Sequence, residues 1–126
     1  MKFEFAPDIH SEIIRIVLSL GMNHISSRFL ICFRSYGSKS NAIARIWSLP
    51  KIWQMGLNLG PHYCIEVISE RFDKLRKEEK EKVLIHELLH IPNNFSGAVL
   101  PHRHRYKKIN NKVVDQWYIK LSEKVK

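Results

Sequence analysis

The segment His86-Glu87-Leu88-Leu89-His90 sets two imidazoles four residues apart with a carboxylate between them. On a helix four residues advance the direction by roughly 400°, so both rings fall within about 40° of each other and can reach one metal ion. Glu87 lies about 60° from His90 around the same helix, on the flank where a water activated by the metal would sit. That position suits a general base better than a ligand. With seven His and nine Glu in 126 residues, coincidence produces this pattern only about 0.03 times per chain. The chemistry indicated is metal-assisted hydrolysis.

Zinc in a catalytic site commonly takes three protein ligands and keeps a fourth position for water, so two histidines leave the set incomplete. The short spacing that places a glycine and a third histidine soon after the second is absent here. The candidates are His102, His104, Asp115 and, from upstream, His62. Gly97 can turn the chain after the helix, and at ~3.3 Å per residue the connection is long enough to bring His102 back. His104 is two residues further and shares a side with His102 on an extended segment, so spacing does not separate them. Tyr63, Arg103, Arg105 and Tyr106 each carry a donor able to stabilise the oxyanion formed when water adds to a peptide carbonyl.

Elements must hold these groups. A helical pattern runs over 77–91, with Leu84, Leu88 and Ile91 in one row and Ile85 and Leu89 beside it. Its start lacks a good cap, although Glu78 and Glu79 suit the positive end of the helix dipole, and Pro92 ends it near His90 or Ile91. Asp8 precedes Ile9, Ile13, Ile16, Val17 and Leu20 as a capping residue, with Gly21 behind, which predicts a first helix. Residues 26–36 read as a strand followed by a turn at 37–41. The runs 42–47 and 52–57 read as two short strands, or one edge strand broken at Pro50. Residues 62–70 alternate, with Tyr63, Ile65 and Val67 inward and Glu66 and Glu70 facing solvent or nearby arginines, as in a half-buried strand. A last helix over 110–124 sets Val114, Trp117 and Leu121 on one stripe. Trp47, Trp53 and Trp117 all sit in apolar surroundings that suit a core.

A chain of this length makes one domain, 1–126, and 44% hydrophobic residues with 26% charged ones place it among ordinary globular sequences. No apolar run approaches the roughly 18 residues of a membrane helix, and the N-terminus lacks a signal pattern, so no membrane role and a cytoplasmic location are expected. Cys32 and Cys64, far apart in apolar runs, read as free thiols. The net charge of +9 and the dense basic segment 102–108 would attract nucleic acid. They carry the alternative reading, a basic nucleic-acid-binding module in which zinc is structural.

The run Val83-Leu84-Ile85-His86-Glu87-Leu88-Leu89-His90-Ile91-Pro92, followed by Phe95-Ser96-Gly97 and His102, resembles a metallopeptidase family of archaea and phages, a zincin-like group similar in outline to SprT-type proteases. The likeness extends upstream through Gly37-Ser38-Lys39, Ala44-Arg45-Ile46-Trp47, Leu49-Pro50-Lys51-Ile52-Trp53-Gln54 and Ile65-Glu66-Val67-Ile68-Ser69-Glu70-Arg71-Phe72. The resemblance implies an α/β (α+β) zincin-like fold, a small mixed or antiparallel sheet packed on the motif helix, with helices at both ends of the chain. It implies Zn²⁺ held by His86, His90 and His102, Glu87 as general base, and a protein or peptide substrate.

Overall fold

Proline at a helix's first position sacrifices only an N–H that has no partner there, and α1 (Pro7–Leu20) begins in that way. Its buried stripe is Ile9, Ile13, Ile16 and Val17, and Gly21 ends it in the left-handed conformation at φ 64°. Asp8, expected as the cap, instead lies inside the first turn, and its carboxylate pairs with Arg34 at 2.7 Å. The computed structural model describes residues 1–103 and 107–125.

Four strands, β1 (Lys2–Phe5), β2 (Leu30–Tyr36), β3 (Ala44–Ser48) and β4 (Tyr63–Ile68), form a sheet in the order β1-β2-β4-β3. The two central strands run parallel, with Leu30 opposite Tyr63 and Cys32 opposite Ile65, while β1 and β3 flank them antiparallel. The architecture is therefore mixed α+β, with α2 (Lys51–Leu57), α3 (Ser69–Phe72), α4 (Lys77–Leu89) and α5 (Asn111–Val125) completing the α-helices among the described residues, and a single 3-10 turn at Ser27–Phe29 where the expected strand 26–36 begins. Leu30, Cys32, Tyr63, Ile65 and Val67 join the α1 stripe and Leu84, Ile85 and Leu88 of α4 in the core. Arg15 pairs with both Glu12 and Glu81, which ties α1 to α4. No helix among the described residues is long and apolar enough to cross a membrane.

Three expectations change. Residues 52–57 form α2 and not a strand. The Pro50 carbonyl accepts the Trp53 and Gln54 N–H groups at 3.0 Å, and Asn58 closes the helix at φ 55°. Short apolar runs carry no period that separates strand from helix. Second, β4 is central and buried on both faces, so Glu66 is only 2% exposed. Its carboxylate accepts the Trp47 indole N–H at 2.9 Å and lies 3.5 Å from the Arg45 guanidinium, which offsets the cost of burying the charge. Glu70 falls in α3, where its carboxylate accepts the Gly37 N–H. Third, Trp47 and Trp53 are more than half exposed, and only Trp117 packs against the core. The sequence also gave no warning of β1, an exposed edge strand anchored by stacking of Phe5 on Phe33 at 4.9 Å.

Both cysteines are free. Burial pushes the Cys32 thiol up to about 12 and raises that of Cys64, which leaves both protonated and unreactive near neutral pH.

Candidate metal centre

The last turn of α4 carries His86 and Glu87, with His90 capping its C-terminus, and the helix packs against β3 and α5. At its start the Glu79 carboxylate accepts the Arg76 N–H at 3.2 Å, supplying the cap that the sequence lacks in the form of Ser, Thr, Asp or Asn. His90 stands at the C-terminal boundary, so the chain leaves the helix immediately beyond it. The Phe95 N–H donates to the Pro92 carbonyl, and Phe95 and Gly97 both take positive φ, 48° and 95°. Glycine is required at 97 on a second ground: a Cβ there would lie 2.6 Å from Gln54 Nε2, which donates to the Leu49 carbonyl.

Three further bonds bring the loop home. The buried Tyr63 hydroxyl donates to the Ala98 carbonyl at 2.7 Å and accepts the Gly97 N–H at 2.8 Å. The Leu100 N–H donates to the His90 carbonyl at 2.8 Å, and His90 Nδ1 meets the Leu100 carbonyl. Finally the Ile109 N–H donates to the His102 carbonyl at 2.9 Å, with Ile109 itself buried.

The outcome is a cluster. One ligand atom each from His86, His90 and His102 lies within 4.8 Å of the others, and His86 Nε2 is 3.1 Å from His102 Nε2. Zinc–nitrogen bonds of ~2.0–2.1 Å in tetrahedral array would set such nitrogens about 3.3 Å apart, so the donor set fits a metal ion. A carbonyl oxygen only accepts, so His90 Nδ1 carries the proton and Nε2 presents its lone pair. Burial, reinforced by His90 and His102 nearby, pushes the His86 imidazolium down to about 4, and burial lowers that of His90. Both rings are therefore neutral near pH 7, the form that binds a metal. Glu87 is buried without a partner among the described residues, and burial pushes its carboxyl up to about 7. Two cavities of about 360 and 400 Å³ meet at Ala44, His86 and Glu87, and the second is also lined by Trp47, His90 and His102.

The other sequence candidates fall elsewhere. His62 contacts the Gly60 carbonyl through Nδ1 and packs edge-on to Phe29, and Asp115 pairs with Lys82 at 3.2 Å. His104, Arg105 and Tyr106 lie outside the described residues. Tyr63, a candidate oxyanion donor, spends its hydroxyl on the loop. Arg103 forms an isolated bridge with Lys108, whereas Lys107 turns inward to the Ile91 carbonyl at 3.3 Å, and burial lowers its pKa. Sequence reasoning missed the anchoring by Tyr63, Gln54 and Leu100. Alternation did place Tyr63 on the core face, but its partners appear only once the loop has folded back.

The family model described as "Putative phage metallopeptidase" matches residues 1–120, and the chain belongs to that family. No curated protein and no solved structure matches the chain.

Proposed function

From that membership, we propose that residues 1–126 form one zincin-like domain that hydrolyses peptide bonds with a zinc ion held by His86, His90 and His102. The observation that carries this reading is the convergence of three imidazoles beside a buried carboxylate that has no partner among the described residues, at an open cleft. His86, His90 and His102 would hold the zinc, which would supply Lewis-acid polarisation of the scissile carbonyl and of a water molecule. Glu87 accepts the proton of the attacking water and returns it to the leaving nitrogen. His90 holds its tautomer through the Leu100 carbonyl, which leaves Nε2 free to serve as a ligand beside His86 and His102. On the other side of the cleft, β3 pairs only with β4 among the described residues. Its free edge offers N–H and C=O groups to an extended substrate chain laid along it.

Glu87→Gln tests the reading. The amide preserves shape and leaves the three imidazoles in place but accepts no proton. Zinc content and thermal midpoint should match wild type, while cleavage of an unfolded protein should fall by roughly a hundredfold or more. Equal cleavage by variant and wild type would overturn the mechanism. Loss of zinc would move Glu87 into the ligand set.

A further inference from the structure

The strand β1 pairs on one side only among the described residues, and every one of its side chains is exposed. On that inner side it runs antiparallel to β2, with Lys2 opposite Tyr36 and Glu4 opposite Arg34, and the Ala6 N–H just beyond donates to the Cys32 carbonyl at 3.0 Å. Bonds in an antiparallel ladder recur at every second residue, so Lys2 and Glu4 turn their N–H and C=O groups toward β2 as Ala6 does. Phe3 and Phe5 therefore turn theirs to the open edge, as does the Met1 carbonyl.

Side chains alternate in the same way. Phe5 stacks on Phe33, on the sheet face away from α1, since Leu30 and Cys32 occupy the face that joins the α1 stripe in the core. Phe3 and Phe5 are 54% and 71% exposed there, with Met1 before them at 73%. Lys2 and Glu4 stand on the opposite face, 3.9 Å apart. The register from Lys2 to Phe5 contains neither a bulge nor a proline, two devices that keep sheet edges from joining.

Two copies of β1 laid antiparallel must set outward-turned residues opposite outward-turned residues, so odd numbers meet odd and even meet even. Centring the pair on Lys2 or on Glu4 brings like charges face to face, which destabilises. Centring it on Phe5 sets Phe3 against Pro7, which has no N–H to give. Centring it on Phe3 sets Lys2 opposite the partner's Glu4 and Glu4 opposite the partner's Lys2. In that register the Phe3 N–H donates to the carbonyl of the partner's Phe3, and the Phe5 N–H to the carbonyl of the partner's Met1, each bond made twice by symmetry. On the apolar face Phe3 meets the partner's Phe3. The edge is thus complementary to itself in backbone, charge and apolar surface.

We propose that β1 is a dimer interface, to which a second copy of this chain adds its own β1 antiparallel and centred on Phe3. The two sheets become one, and the two-fold axis closes the assembly because each β1 edge is used. In the strand order β3 lies at the edge remote from β1, and the cleft beside it holds the histidine cluster, so pairing leaves both clefts open. The dimer is independent of the peptidase reading.

Sedimentation equilibrium of the full chain at up to about 0.1 mM, which reads dissociation constants in that range and tighter, should show monomer exchanging with dimer. Glu4→Lys sets lysines opposite each other and Lys2→Glu sets glutamates opposite each other, so each variant alone should dimerise about tenfold or more weakly. Mixing the two variants restores lysine opposite glutamate and should yield a heterodimer. The double variant Lys2→Glu, Glu4→Lys, which exchanges the charges within one chain, should dimerise like wild type. Neither recovery is expected of substitutions that merely spoil the fold, which circular dichroism of each variant checks. A wild type that stays monomeric throughout would overturn the proposal, including one that takes up an added peptide or lipid vesicle at this edge instead. So would a dimer that both single variants leave intact, or folded single variants that stay apart when mixed.

Discussion

His90 and Leu100 are joined twice, by the Leu100 N–H donating to the His90 carbonyl at 2.8 Å and by the Leu100 carbonyl accepting from His90 Nδ1. One residue thus closes the loop and fixes the ring of the other. The backbone bond returns the chain to the end of α4, where His102 meets His86, and the side-chain bond turns His90 Nε2 toward the same point. Loop closure and ring orientation are one event.

If His102 is the third ligand proposed above, removing its imidazole should cost metal affinity outright. In His102→Ala the zinc affinity is expected to fall by more than the roughly 10–100-fold that loss of a mere supporting partner costs. Chelation should lower the thermal midpoint of wild type, which loses the stabilisation that a bound ligand provides, and should barely move that of the variant. Zinc titration with calorimetry and a thermal scan read both. Wild-type affinity in His102→Ala would remove this residue from the ligand set.

Tyr63 anchors the loop from the sheet, and Tyr63→Phe deletes only its hydroxyl. The Gly97 N–H and the Ala98 carbonyl would then lose their partner, at a cost of about 1–3 kcal/mol for groups left unsatisfied. Urea titration should show that loss, and zinc affinity should fall with it because His102 is held less firmly. Stability lost with zinc affinity untouched would mean that Tyr63 supports the core alone.

Gly97→Ala brings two separable penalties. The φ of 95° is one that an L side chain rarely adopts, and the added methyl would collide with Gln54 Nε2. Together they should destabilise by about 1–3 kcal/mol. Adding Gln54→Ala should recover the collision but not the strained backbone, so a double-mutant cycle is expected to show coupling. Strict additivity would show that the close approach contributes nothing.

Arg34 links Asp8 on α1 to Asp73 after α3, with bonds of 2.7 and 2.9 Å. Its guanidinium holds both carboxyls below their usual range. A depressed carboxyl stabilises the fold above the unfolded pKa of about 3.9 and loses that contribution as pH falls through the folded value. Arg34→Met should therefore be less stable than wild type at pH 7, by on the order of 1 kcal/mol given how exposed Asp8 is. The difference should shrink below about pH 4 as the unfolded carboxyls protonate. Urea titrations at pH 7 and pH 3 measure it, and a difference that persists at pH 3 would assign the effect to packing.

The sequence by itself determined what is set within a turn or two of backbone. The spacing of His86, Glu87 and His90 places them on one side of α4 because a helix repeats every 3.6 residues, and Pro92 limits that helix wherever it packs. Tyr63, Ile65 and Val67 share the core face for the equally local reason that a strand alternates. Gly21 and Gly97 each stand where the backbone turns left-handed. Tertiary structure alone decided which strands lie in the middle, and hence that Glu66 is buried against Trp47 and Arg45 when its alternation suggested solvent. It also decided that 52–57 coils into a helix with its apolar side chains outward, because a run that short lacks a distinguishing period and took its form from Pro50 and from the contact of Gln54 with the loop. Above all it selected His102 over His62 and Asp115 as the neighbour of His86. That choice depends on Tyr63, Gln54, Leu100 and Ile109 acting together across long separations, where no local periodicity relates one residue to the next.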